Sequence, residues 1–257
     1  MKLKDLKPSV SSSPKRTVVY GQPGVGKSTL CSGASAPLWL DIEDGAGFIN
    51  VPRVPFPDGH ATTYAQVLEA LDAVLEEEHH FKTLVIDALD RLESLIWDQV
   101  CQKNRKKTIE GWDFGKGYVI ALSTWRDLLA RLDRVRKKRD MEIVLIAHSH
   151  IKLYVNPEGD DYDRFWLRLN KKAAGLIKEW ADVVAFMRFD EGASRMAGGT
   201  RAKGYNTGKR FVYTTRRAAF DAKSRIPIAD KIEITGAESW EKLMQVTDTI
   251  KQSPSPF

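Results

Sequence analysis

Gly21-Gln22-Pro23-Gly24-Val25-Gly26-Lys27-Ser28, followed by Thr29, fills every fixed position of the pattern G-x-x-x-x-G-K-[ST]. Its flanks suit it. Thr17-Val18-Val19-Tyr20 is β-branched and aromatic and reads as a strand, and Thr29-Leu30-Cys31 opens a helical run. A glycine-rich loop between a strand and a helix turns backbone N–H groups inward around an anion, and the start of the helix adds its dipole. Residues 21–29 then cradle phosphates, Lys27 places a point charge at the terminal ones, and Ser28 is a Mg²⁺ ligand. The expected ligands are ATP and Mg²⁺. The alternative is a glycine-rich turn with no ligand.

The chain has 257 residues, enough for one large domain or a domain with a small appendage, and a formal charge of +6. No apolar run approaches the roughly 18 residues of a membrane span, and the basic start Met1-Lys2-Leu3-Lys4 is followed by no apolar stretch. Cys31 and Cys101 show neither metal nor disulfide spacing, which predicts a cytoplasmic protein with reduced thiols. The charge is clustered: Lys103, Arg105, Lys106 and Lys107 form one group, and Arg134, Arg136, Lys137, Lys138 and Arg139 another. A solvated helix face is the plain alternative for the second group.

Working outward, residues 1–15 read as a flexible arm, 16–235 as the core, and 236–257 as a closing helix (238–252) with a disordered tail. A strand at 36–41 ends in Asp41-Ile42-Glu43, a helix is predicted over 64–80, and Lys82-Thr83-Leu84-Val85-Ile86-Asp87 is a buried strand capped by an acid. Asp87 so placed is a second Mg²⁺ group beside Ser28, the Walker B arrangement. Helices over 89–101 and 118–139 precede a strand at 142–149 that ends at His148. Residues 151–155 and 164–169 alternate around a turn and predict a hairpin or a long ordered loop, 171–180 a helix, and 182–189, 210–215 and 231–235 strands. Residues 192–208, rich in Gly, Arg and Lys without periodicity, read as mobile. Strands alternating with helices predict an α/β fold, a mostly parallel sheet with helices on both faces and an antiparallel C-terminal extension. Ligands bind beyond the carboxyl ends of such strands, where Glu43, Asp87 and His148 all lie.

In AAA+ proteins the water-activating carboxylate directly follows the Walker B aspartate, a position held here by Ala88. The chain instead resembles RecA-like P-loop ATPases, whose general base ends the strand after the P-loop helix; the resemblance makes Glu43 that base, the alternative being a helix cap or surface acid. It likewise makes His148 a γ-phosphate sensor rather than a plain loop histidine. Lys223 and Arg225, in Ala222-Lys223-Ser224-Arg225, resemble the basic pair that RecA inserts into a neighbour's nucleotide site; two solvated charges are the alternative. With Gly115-Lys116-Gly117-Tyr118 and Ala147-His148-Ser149, the layout over about 16–235 looks most like small phage-encoded RecA-like ATPases of single-strand annealing. One departure is an arm, 1–15, with no aromatic residue of the kind that ties RecA subunits together.

That resemblance implies a homo-oligomer assembled head to tail, single-stranded DNA as partner, a single-strand-binding protein as a further one, no membrane, and the cytoplasm of a bacterial host. It places DNA-binding loops at 102–117 and 151–169. Single strands need cations for phosphates and aromatic faces for bases. The first loop offers Lys103, Arg105, Lys106, Lys107 and Lys116 with Trp112 and Phe114, and the second Lys152, Arg164 and Arg168 with Tyr154, Phe165 and Trp166. The aromatics have an alternative, packing under their own loops, and Asp160, Asp161 and Asp163 weaken the second loop as a phosphate track. Two rival functions share the same P-loop: a small-molecule or nucleotide kinase, and an ATPase switch that binds replication proteins as a helicase loader does.

Overall fold

A computed structural model of the chain describes residues 13–45, 47–195 and 202–247. In chain order the elements are β1 (Arg16–Gly21), α1 (Lys27–Cys31), β2 (Pro37–Asp41), α2 (Tyr64–Glu76), β3 (Thr83–Asp87), α3 (Leu89–Lys103), α4 (Lys116–Lys138) and β4 (Glu142–Tyr154). There follow β5 (Tyr162–Leu167), α5 (Lys171–Trp180), β6 (Val183–Arg195), β7 (Ala202–Tyr213), β8 (Lys223–Ser224), β9 (Lys231–Glu233) and α6 (Ser239–Met244).

Strands β2, β3, β4, β1 and β6 stand side by side in that order, all parallel. β7 continues the sheet antiparallel to β6, β9 pairs antiparallel with β7, and β8 pairs antiparallel with the start of β6. Alternate residues of the parallel strands feed two cores, as the two-residue repeat of a strand requires. Tyr20, Leu40, Ile86 and Leu145 join α2, α3, α4 and α5 through Leu71, Ile96, Leu128 and Ile177. On the opposite face Val19, Trp39, Val85 and Val144 join the short α1 and α6 through Leu30, Trp240 and Leu243. The expected α/β architecture is the one observed, and its core continues past residue 235 into α6.

Several expected boundaries move. α2 opens on a capping box between Thr63 and Gln66, then stops at Glu76, short of the predicted 80. Three consecutive acids, Glu76, Glu77 and Glu78, would crowd the negative end of its dipole. β4 runs on through Tyr154: residues 142–148 pair parallel with the main sheet, and 149–154 peel away to pair antiparallel with β5. The stretch 192–208 was expected to be mobile, and its described residues instead extend the β6–β7 hairpin, because main-chain ladder bonds hold it where no side-chain periodicity advertises them. α6 ends at Met244 rather than 252; only Trp240 and Leu243 of its large apolar side chains are buried, while Val246 beyond it is exposed. A helix with no further face to bury is not extended. Residues 1–12 and 248–257, which hold most of the expected arm and tail, lie outside the described residues.

Glu93 of α3 is a buried carboxylate, and both its oxygens accept the N–H of Asn170, at 3.2 and 2.9 Å, where α5 begins. This ties the helix that leads into the 102–117 loop to the end of the β4–β5 hairpin. Burial pushes its carboxyl from the ordinary 4.5 up to about 7, against the opposing Asn170 hydrogen bond. Between those values the folded chain holds a proton that the unfolded chain has released, so this stability is full below 4.5 and is lost as pH rises through 7. Melting curves from pH 5 to 8 are expected to show Glu93→Gln gaining on wild type as pH rises; parallel pH profiles would remove the assignment.

Candidate active site

The parallel register brings the site together. Gly21 pairs with His148 on one side and with Met187 on the other, and Asp41 pairs with Asp87. The ends of β1, β2 and β3 thus open on one edge of the sheet, beside the middle of β4. Gly21 has to be glycine, since a Cβ there would lie 2.0 Å from the Met187 carbonyl oxygen.

Within the loop, Gly24 and Gly26 take left-handed φ angles of 73° and 94°, and Gly26 caps the start of α1. Lys27 is buried, and its Nζ donates to the carbonyls of Gly21 at 3.4 Å and Gln22 at 3.0 Å. Among the described residues it forms no ion pair. Burial pulls its ammonium below the ordinary range, with the charge of Asp87 opposing. A buried cation whose hydrogen bonds go to carbonyl dipoles fits a phosphate. Ser28 Oγ donates to Asp87 Oδ2 at 2.6 Å, which puts both expected Mg²⁺ groups within reach of one ion. Burial raises the Asp87 carboxyl, and the Ser28 hydrogen bond holds it back. The donor set therefore suits the cofactors, and Mg²⁺ held there would neutralise phosphate charge.

Glu43 lies two residues beyond β2. Asp41 Oδ1 accepts the N–H groups of Glu43 at 3.1 Å and Asp44 at 3.0 Å, an Asx turn that aims the segment. Across the gap, His148 Nδ1 is 3.7 Å from Glu43 Oε2 and 3.1 Å from each oxygen of Asp90, which also accepts the His148 N–H at 3.2 Å. A ring nitrogen between carboxylates carries its proton on that side, leaving Nε2 as the free nitrogen. Burial raises the Asp90 carboxyl, but the His148 bonds outweigh it and the net shift is downward. Glu43 goes the other way. Burial raises it, His148 opposes, and the charges of Asp90 and Asp87 push it further up, in the direction that suits a general base.

Sequence reasoning singled out Glu43, Asp87 and His148 but passed over Asp90, which orients the histidine. An acid in the first turn of α3 is unremarkable until β4 is known to lie beside β3.

Lys223 and Arg225 lie elsewhere. β8 pairs with Val183 and Val184, three to four residues below the Gly21–Met187 pair, roughly 10–13 Å along the strand. Arg225 binds Asp182 Oδ1 at 3.0 Å and the Glu179 carbonyl at 2.6 Å, and Lys223 donates to that same carbonyl at 3.4 Å. Neither takes part in its own chain's site.

Of the expected DNA-binding residues, Lys103, Arg105, Lys106, Lys107, Lys116, Lys152 and Arg168 are exposed. Arg164 is corrected: it is 3% exposed, sits 5.3 Å from the Tyr154 ring centre and 5.5 Å from that of Trp166, and pairs with Asp221, which Lys178 also holds. On its strand it faces inward, so its charge serves the packing of the hairpin. The first loop's aromatics divide. Trp112 is half-buried against Gly117, with Lys106 5.7 Å above its ring, whereas Phe114, at φ 54°, is fully exposed.

The family described as "AAA domain" matches residues 13–226. The chain belongs to this family. It is a P-loop ATPase of the AAA type, although Glu43, the expected base, follows β2 and Ala88 follows Asp87. No curated protein matches it. Among solved structures, the flagellar accessory protein FlaH from Methanocaldococcus jannaschii is similar at 11% identity, covering 86% of this chain and 84% of that one, with a TM-score of 0.41.

Glu43, the expected base, can be replaced without touching the phosphate cradle. Glu43→Gln is expected to cut phosphate release from ATP by about 10²- to 10⁴-fold while nucleotide affinity changes by no more than a few fold. A loss below tenfold would place the base on another residue.

Proposed function

We propose that this ATPase is a single-stranded-DNA-binding protein of phage recombination that assembles head to tail and promotes annealing of complementary strands. The observation that carries this reading is the loop between α3 and α4. It presents Lys103, Arg105, Lys106, Lys107 and Lys116 to solvent together with the fully exposed ring of Phe114. Cations along a backbone track and an aromatic face for a base are what single strands require. The β4–β5 hairpin adds the exposed Lys152 and Arg168, and Glu93 joins the two regions through its bond to Asn170.

In this reading Lys27 and Ser28 hold the phosphates and Mg²⁺, Asp87 supports the metal, Glu43 takes a proton from the attacking water, and His148 reports on the γ-phosphate. Lys223 and Arg225, too far from their own P-loop, complete a neighbour's site. ATP then favours the assembled state and hydrolysis releases it, because the γ-phosphate gives the incoming cations a partner. Annealing follows if the assembly holds strands extended with their bases free.

The reading is tested by fluorescence anisotropy with labelled single-stranded and duplex oligonucleotides across a salt series, with and without ATP and Mg²⁺. Single strands are expected to bind more tightly with ATP, and Lys106→Ala and Lys107→Ala each to reduce the slope of log affinity against log salt by about 0.7. No binding at low salt in either nucleotide state would overturn it in favour of a kinase or a protein-binding switch.

The trans contact is tested separately. Lys223→Ala and Arg225→Ala are expected to slow ATP turnover by about 10³-fold with nucleotide affinity unchanged, and mixing either variant with Glu43→Gln is expected to restore part of the turnover, because some interfaces then combine an intact base with intact cations. Wild-type turnover in both single variants would refute the contact.

A further inference from the structure

The P-loop meets a second cation from within its own chain. A Cβ built on Gly26 would lie 2.6 Å from Arg210 Nη1 and 3.6 Å from its Cζ, so the guanidinium of β7 rests in space that only a glycine leaves open. Arg210 is half-buried, and among the described residues its side chain makes no hydrogen bond, ion pair or ring contact. A guanidinium carries five N–H donors in a rigid fork that matches phosphate oxygens. Leaving it unpaired beside an anion-binding loop makes chemical sense once a phosphate is present.

The neighbouring groups support that placement. The same hairpin touches the same loop again where Gln22 Nε2 donates to Glu191 Oε1 at 3.1 Å. Arg188, the other arginine nearby on β6, spends its donors on the carbonyls of Phe189 at 3.1 Å and Glu191 at 3.0 Å. Among the described residues, Arg210 is thus a cation at the loop whose donors are unspent.

Its side of the loop is informative. Asp87, Asp90, Glu43 and His148 all belong to β2, β3 and β4 or the segments following them, on one flank of β1, whereas Arg210 comes from β7 on the other. The attacking water and the transferred phosphate belong on the flank with the carboxylates, next to the base. A cation on the opposite flank meets the part of the phosphate chain that stays behind. We propose that Arg210 is an in-chain clamp on the α- and β-phosphates, gripping ATP and the product ADP alike. The proposal rests on the nucleotide-binding reading of the P-loop and is independent of the DNA reading.

It also separates two kinds of cation. Lys223 and Arg225 would act between chains and sense the γ-phosphate, so they distinguish ATP from ADP. Arg210 would act within one chain and not distinguish them, so an isolated subunit keeps its nucleotide.

The test is isothermal titration calorimetry of the full chain with Mg²⁺ and without DNA, using ADP and the slowly hydrolysed ATPγS. Arg210→Ala is expected to weaken both ligands by a similar factor, about 10- to 100-fold, with the melting temperature of the ligand-free protein unchanged. Arg210→Lys, which keeps the charge but not the fork, is expected to fall between wild type and Arg210→Ala, and it carries the test if Arg210→Ala does not fold. Weakening of ATPγS alone would place Arg210 at the γ-phosphate, and unchanged affinity for both would remove it from the site; either result overturns the proposal. If the wild-type chain binds neither nucleotide, the nucleotide-binding reading itself falls and the proposal falls with it.

Discussion

Gly21 ends the first strand pressed so close to Met187 that a Cβ would lie 2.0 Å from the carbonyl oxygen of that residue, and it pairs across its other flank with His148. This close parallel packing sets where the P-loop leaves the sheet. The loop cannot rise on the β6 side without striking main chain. It therefore emerges level with the ends of β2 and β3 and with His148 in β4, where Ser28 donates to Asp87 at 2.6 Å.

Around that fixed point the site is polarised. Toward β3 and β4 lie three carboxylates and a histidine whose Nδ1 bonds Asp90 and stands 3.7 Å from Glu43. Lys27 lies in the middle, buried against carbonyls, and the β6–β7 hairpin brings Gln22 onto Glu191 and Arg210 onto Gly26 from the other side. The carboxylates stand apart from the cations. The separation matters energetically, because a lysine paired directly with a carboxylate would have to give up that partner before gripping a phosphate.

The hairpin formed by β4 and β5 shows how one strand serves two purposes. Its first half is buried on both faces and carries the sheet; its second half leaves the sheet and exposes Ile151 and Leu153. Arg164 anchors it from beneath through Asp221, between Tyr154 and Trp166. Sequence alternation left a hairpin and a long ordered loop both open, of which the hairpin is observed, and it put Arg164 on the wet side. Which face of a two-stranded ribbon is covered depends on what packs beneath it, here Asp221 and Lys178 from distant segments.

The P-loop, the parallel sheet and the acids at its strand ends were legible in the sequence, because each depends on short-range rules. Glycine spacing sets loop conformation, continuous apolar runs mark strands buried on both faces, and a polar residue after such a run must lie at the strand end. Asp90, Arg210 and the buried side of Arg164 were not legible, since each acquires its place from a strand or helix far away in the chain. Asp90 matters only because β4 lies beside β3, and Arg210 only because β7 folds back across β6 above Gly26. Local sequence determines what a segment becomes; the order in which strands pair decides which charges meet, because electrostatic and hydrogen-bonding partners act over a few ångströms and only the tertiary fold brings residues that far apart in sequence to that distance.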